Sequence, residues 1–323
     1  MLTNPEIEKI TSDYFLADDH KAVDIYFETS FLLEYLMRQQ KGIFKRPAGG
    51  ERIKVHLKYD GAEAGFYSRN ETLSEDEREN ITACFFAWKH AFGNATLYRA
   101  DELQNASVYA EVDNVLNKIE TAQESCRDML ANNLFNAAGD DSKLITGLGS
   151  LTSESADVAY GTLTENGLVA ADGKKPWEGK TNSTSANISP TVIRTLRSDA
   201  KIRGGKKGKP DLGVTSETLY NKLAGILEVQ QRFTAADAMA KAGFTGLSLD
   251  GMMIGADDFV GDADFFALNS MHIGFAIHKK GYFARTKWNP LTSGAQGRTM
   301  KILWDGNMVC NNRKAHKRHS ALT

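Results

Sequence analysis

Between Ser107 and Phe135 apolar side chains return every three or four residues: Val108, Val112, Val115, Leu116, Ile119, Cys126, Met129, Leu130 and Leu134. Glu111, Asp113, Asn117, Lys118, Glu120, Glu124, Arg127 and Asp128 occupy the other faces. That period places one apolar stripe along an α-helix. No Pro or Gly breaks the stretch, and Asn136 with Gly139 supplies a stop. At the rise of an α-helix it would span roughly 43 Å, well beyond the usual three turns. The apolar positions keep no strict seven-residue repeat, so a coiled coil is disfavoured.

A two-residue period governs Glu51 to Asp60. Ile53, Val55, Leu57 and Tyr59 fall on one face, and Arg52, Lys54, His56 and Lys58 on the other. This reads as a half-exposed strand. Asp60-Gly61 predicts a tight hairpin, with a return strand around Ala64, Phe66 and Tyr67, projecting from the body. Ile81 to Tyr98 reads as strand with a break at Gly93-Asn94.

Residues 1 to 40 form an expected arm with helical pieces and much apolar surface, in which Phe27, Phe31 and Tyr35 repeat at four-residue steps. A terminal segment of this kind must lie on its own core or on another copy. Residues 137 to 187 are poor in large apolar residues and read as a long loop with short strands, a length uncommon unless functional. Ser189-Pro190 starts a helix, cap then Pro, reaching Arg203. Ser216 caps another carrying Leu219, Tyr220, Leu223, Ile226 and Leu227, and Thr234 to Ala242 predicts a short third. The rest reads as β: strands near 247–254, 265–269, 272–278 and 282–286, then Met300–Trp304 and Asn307–Cys310 paired across Asp305-Gly306.

Composition adds bounds. A chain of 323 residues, 41% hydrophobic, can bury a real core, and a net charge of −2 is not that of a chain built to coat nucleic acid. Charge is segregated, with an acidic start and basic Arg313, Lys314, Lys317 and Arg318 near the end. Cys84, Cys126 and Cys310 are far apart and fit buried free thiols in a reducing compartment. The first ten residues carry no apolar core of a secretory signal, and no run reaches the length of a membrane span.

Candidate chemistry is sparse. The seven His residues make no HExxH or HxxxH, and His316 and His319 read as solvated in a charged tail. No GxSxG elbow and no strand-linked GxGxxG is present. Gly204-Gly-Lys-Lys-Gly-Lys-Pro210 lacks the spacing of a phosphate loop and reads as a basic surface loop. Asp250, Asp257, Asp258, Asp262 and Asp264 lack the Ca²⁺-loop pattern and fit turn chemistry better. No catalytic, cofactor-binding or metal-binding residue is assigned.

The order of these pieces resembles one family. Leu249-Asp-Gly-Met-Met-Ile254, Asp257-Asp258 and Gly261-Asp-Ala-Asp-Phe-Phe-Ala-Leu-Asn269 resemble the strand, acidic turn and "yfLN" run of tailed-phage major capsid proteins with the HK97-type fold. Lys301-Ile-Leu-Trp-Asp-Gly-Asn-Met-Val-Cys-Asn-Asn312 is similar to that family's late strand. The resemblance implies an α+β chain in four parts. They are an N-terminal arm (1–41), an extended hairpin loop (42–74), a peripheral domain (75–136 and 271–312) with spine helix 107–135, and an axial domain (137–270 and 313–323). It implies self-assembly into hexamers and pentamers of a virion head around double-stranded DNA, with scaffolding, portal and decoration proteins as partners, no membrane, no cofactor and no enzyme activity. Phe27, Phe31, Tyr35, Ile53, Val55, Leu57, Lys58, Lys206 and Lys207 are the expected assembly contacts. The alternatives are an encapsulin-like cargo shell and, in a different class, an α+β enzyme with a distributed site.

Overall fold

The computed structural model describes residues 30–39, 46–72, 77–100, 108–155, 158–202, 208–228, 247–291 and 296–323, with side chains of the long helix from 115 onward. The described residues fall into two compact units. The first takes His90–Leu130 and Lys279–Asp305; the second takes Ser30–Lys89, Ala131–His278 and Gly306–Thr323.

The second unit opens with helix α1 (Phe31–Gln39), then β1 (Ile53–Lys58) and β2 (Ile81–Phe86). The first unit holds β3 (Lys89–Tyr98), whose first residue falls in the second unit, and α2 (Val108–Asn133), which passes into the second unit after Leu130. Its inner strand face is unusually small, with Ala91, Gly93 and Ala95 pointing inward. A Cβ on Gly93 would stand 2.1 Å from the Ala122 carbonyl of α2, so a bare backbone is required for helix and strand to touch. The expected break at Gly93-Asn94 is thus a close approach in mid-strand, and the chain breaks instead at Ala87-Trp88.

Further strands are β4 (Thr181–Asn182), β5 (Leu212–Thr215), β6 (Leu247–Leu249), β7 (Met252–Ala256), β8 (Phe265–Leu268), β9 (Ile273–Ile277), β10 (Ala284–Arg285), β11 (Asn289–Pro290), β12 (Gly297–Cys310) and β13 (Lys317–His319). The remaining helices are α3 (Leu148–Thr152), α4 (Pro190–Asp199) and α5 (Glu217–Glu228). In the first unit, β12 pairs with β3, β10 and β11, and Met300 and Ile302 pack with Ala95, Ile119 and Ala122 against α2. β12 then runs on unbroken into the second unit, where it pairs with β9. Asp305-Gly306 is therefore no turn. The main-chain N–H of Asp305 donates to the Gly281 carbonyl, which keeps the strand extended.

A six-stranded sheet, β4-β13-β8-β5-β7-β6, forms the rest of the second unit. Central β5 is buried along its whole length, as a strand covered on both faces must be. On one face lie α4 and α5, whose Ile193, Leu196, Leu219, Leu223 and Leu227 meet Leu249, Met252, Ile254 and Phe265. Both helices start as their sequences predict: Ser189 Oγ accepts from the Val192 N–H, Pro190 takes the first position, and Ser216 Oγ accepts from the Leu219 N–H. Asp250 and Gly251, both at positive φ, make the two-residue turn between β6 and β7. The predicted helix 234–242 lies outside the described residues.

One expectation about buried surface is corrected. The C-terminal residues are not a solvated basic tail: Arg313, His316 and His319 are buried, and β13 inserts between β4 and β8. The region 137–187 is, as expected, a long irregular stretch, with the short helix α3 and the two-residue strand β4 among its described residues. The Arg313 guanidinium donates to the carbonyls of Ser150, Leu151, Ser153 and Trp177, collecting this irregular chain around one cation.

Candidate assembly surfaces

β1 alternates as predicted, but its partner differs from the expected one. It pairs antiparallel with β2, from Ile53 opposite Phe86 to Lys58 opposite Ile81, and not with a return strand at 64–67. The hairpin therefore closes through residues 59–80 instead of at Asp60-Gly61. Asp60 serves as an acceptor instead, its Oδ1 taking the Gly61 N–H and its Oδ2 the Ala171 N–H at 2.9 Å.

The base of this ribbon is fixed to the second unit. Phe86 stacks edge-on to Tyr160 with ring centres 5.3 Å apart, and the Phe85 N–H donates to the Gly161 carbonyl. Gly161 sits at positive φ against the Phe86 ring, leaving no room for a side chain. At the ribbon's entrance the Trp88 indole N–H donates to the Gly50 carbonyl, and the Trp88 ring meets the His278 ring edge-on. Beyond the base, residues 61–72 are exposed throughout, with Phe66 106% and Tyr67 69% accessible.

The expected contact residues divide three ways. Ile53, Val55 and Leu57 are buried within the chain, facing Phe86, Cys84 and Thr82 across the ribbon, and only Lys58 of that set is exposed. Phe31 and Tyr35 are buried in the second unit because α1 is apolar on nearly every side, and such a helix belongs in a core. All five are thus largely covered by their own chain. Phe27, Lys206 and Lys207 lie outside the described residues.

Other residues supply the exposed apolar surface. In the first unit, β3 turns Phe92 and Tyr98 outward, and α2 exposes Leu116 and Met129. The Lys301 ammonium lies 5.8 Å from the centre of the Phe92 ring, a cation–π contact on the open face of the sheet. The alternation of Phe92, Asn94, Thr96 and Tyr98 against Ala91, Gly93, Ala95 and Leu97 is the signal in the sequence for this face. Gly93, which resembles a strand break, obscures it.

The titratable groups are set for packing. Burial pushes the Cys126 thiol up to about 11 and the Cys310 thiol up to about 12, so both remain protonated thiols near neutrality. Of the acidic run, Asp264 takes both hydrogen bonds of the Arg318 fork at 3.0 and 2.8 Å, and Asp250 receives the Arg194 Nε–H. Among the described residues no group of three His, Cys, Asp or Glu side chains is placed to hold a metal ion.

No protein-family model and no curated protein sequence matches the chain. Solved structures do. The capsid asymmetric unit of cyanophage A-1(L) matches over 100% of both chains at 14% identity and a TM-score of 0.69. The capsid of a native GTA particle covers 98% of this chain and 99% of its own, at 13% identity and a TM-score of 0.59. The holo-SrpI encapsulin complex of Synechococcus elongatus PCC 7942 covers 100% and 96%, at 9% identity and a TM-score of 0.58. The fold is accordingly the α+β HK97-like capsid fold that the order of sequence elements implied.

Proposed function

We propose that the chain is a major capsid protein that assembles with copies of itself into the closed head of a tailed phage around double-stranded DNA. The observation that carries the reading is an exposed, aromatic-tipped link, 61–72, on a chain with a capsid fold along its full length. A monomer gains nothing from two aromatic rings held in water; a shell buries them on neighbours. In this reading the ribbon β1–β2 with its link is the extended loop, α2 is the spine of the peripheral domain, and the six-stranded sheet with α4 and α5 is the core of the axial domain. Hexamers and pentamers are its building units, with scaffolding, portal and decoration proteins as partners and the virion as its place of action. A net charge of −2 suits a wall that tolerates packed DNA without gripping it.

The likeness to an encapsulin complex favours one second reading, a shell that holds protein cargo. Light scattering and negative-stain microscopy of purified chain test the common part of both readings, with megadalton closed particles expected. Nuclease-protected DNA in particles from the native source selects the phage head, and packaged enzyme selects the cargo shell. A monodisperse monomer at every concentration rejects both and returns the α+β enzyme.

A further inference from the structure

The ribbon β1–β2 has two unlike faces. Ile53, Val55 and Leu57 lie buried on one, and Lys54, His56 and Lys58 stand exposed on the other. Arg52, immediately before β1, is exposed as well. Across the ribbon Lys54, His56 and Lys58 face Phe85, Ala83 and Ile81, and neither strand contains a carboxylate. The Lys54 ammonium lies 5.8 Å from the centre of the Phe85 ring, a contact that steadies the cation without neutralising it.

Cations elsewhere in the second unit meet carboxylates: Arg194 pairs with Asp250, Lys175 with Glu165, Lys317 with Asp199 and Arg318 with Asp264. Among the described residues no carboxylate forms an ion pair with Arg52, Lys54 or Lys58. Strand geometry sets Lys54, His56 and Lys58 in steps of about 6.8 Å. A row of one sign along a ribbon fits an extended polyanion. An acidic protein is the poorer match, because interfaces between proteins are depleted in lysine, whereas those with nucleic acid are strongly positive. The major groove of DNA, about 12 Å wide, admits a two-stranded ribbon. A duplex carries one negative charge per about 1.7 Å of axis, so phosphates lie within reach of each cation whatever the sequence.

We infer that the exposed face of β1–β2 is a binding surface for the phosphate backbone of double-stranded DNA, with Arg52, Lys54 and Lys58 as its contacts. That the DNA is a packaged genome rests on the shell reading above; the affinity of the stripe for a duplex does not. The net charge of −2 averages this local stripe away. Three phosphate contacts give a slope of log affinity against log salt of about −2.7, so binding falls about fortyfold between 50 and 200 mM salt. Such a contact is independent of sequence and reversible, which suits a wall along which DNA must slide while a head fills.

The test is fluorescence anisotropy of a labelled mixed-sequence duplex with the full chain, kept below the concentration at which particles form. The unaltered chain is expected to bind with a salt slope of about −2.7. Lys54→Gln with Lys58→Gln removes two of three contacts. It is expected to weaken binding at least about tenfold at 50 mM salt and to cut the slope to about −0.9. Lys54→Arg with Lys58→Arg keeps the charges and is expected to bind like the parent. Lys201→Gln with Lys222→Gln, an equal loss of charge at exposed positions off the ribbon, is expected to change little. No binding by the unaltered chain, a Lys54/Lys58 Gln pair that binds like the parent, or a control pair that loses as much overturns the inference. Polyglutamate bound more tightly than the duplex overturns the DNA assignment in favour of an acidic protein. If the Lys54/Lys58 Gln pair does not melt like the parent, Arg52→Gln decides: a slope shallower by about 0.9 supports the stripe, and an unchanged slope rejects it. Closed particles from a chain whose stripe does not bind DNA leave the shell reading standing without the stripe. A chain that binds as expected but forms no particles removes the shell reading and keeps the DNA surface.

Discussion

The Arg313 guanidinium is buried without a carboxylate fork, and its charge is spread over four main-chain carbonyls and the face of Tyr160, 5.4 Å away. Each of those carbonyls, left without a donor, would cost about 1–3 kcal/mol. Three residues on, His316 is buried as the neutral ring: its Nδ1 accepts from the Asn269 N–H at 3.3 Å, which leaves the proton on Nε2, 3.5 Å from Cys310 Sγ. Burial first, and His272 second, pull its pKa from the ordinary 6.5 down to about 3. The sign follows from linkage. Below about 6.5 the unfolded chain takes a proton that the folded chain refuses, so this group's contribution to stability is lost as pH falls toward about 3. The steep part of the loss is about 1.4 kcal/mol per pH unit. Urea melts between pH 7.5 and 4.5 should show the decline, and His316→Gln should flatten it. An equally steep decline in the variant would place the effect elsewhere. None of this is legible in a run of Arg, Lys and His, because local sequence carries charge but not the buried carbonyls and sheet edge waiting for it.

At the scale of elements, what is legible is what depends on neighbours in sequence. The three-to-four residue period of α2, the Ser189-Pro190 and Ser216 caps and the alternation of β1 all act within a few residues, and all three can be read from the chain alone. What fails depends on distant partners. Asp60-Gly61 has the composition of a hairpin turn, but β2 competes for β1; Asp305-Gly306 has it too, but one strand claims both residues. Residues 30–39 read as part of an arm because their apolar side chains have no visible partner in sequence; in space they meet Gly255 and Asp257. The site is less legible than the fold, since five of the nine expected contact residues are buried in the chain itself. This relocates a truncation boundary. Deleting residues 1–29 leaves Ser30 and its cap on α1 in place and should give a chain that still melts cooperatively. Deleting 1–40 removes Phe31, Leu32, Leu33 and Leu36, all buried. Even truncating a large core side chain costs about 2–5 kcal/mol, against a total stability of about 5–15. That longer deletion should yield insoluble or molten protein, and recovery of a native melt from it would show α1 to be dispensable.

For the molecule as a whole, order outlasts detail. At 14% identity or less, few of the side chains that fill the matching capsid structures recur here, yet the sequence of arm, ribbon, long helix, irregular segment and β-rich end still identifies the fold. Connectivity and hydrophobic period are fixed by architecture, whereas individual contacts drift freely as long as volume is conserved. What the order leaves unspecified is which apolar groups remain outside, and here the link 61–72 bears on function directly. Phe66 and Tyr67 touch so little of their own chain that Phe66→Ser with Tyr67→Ser should move stability by no more than about 0.5 kcal/mol. Assembly should respond far more. Burying one such ring is worth about 1.5–3 kcal/mol, and the same contact repeats in every copy of a closed shell. The double variant should therefore melt like the parent yet require at least about tenfold more protein before particles form, as read by light scattering through a dilution series. Particles appearing at the parent's concentration would make the link an ornament and leave the exposed face of Phe92 and Tyr98 as the surface to test next.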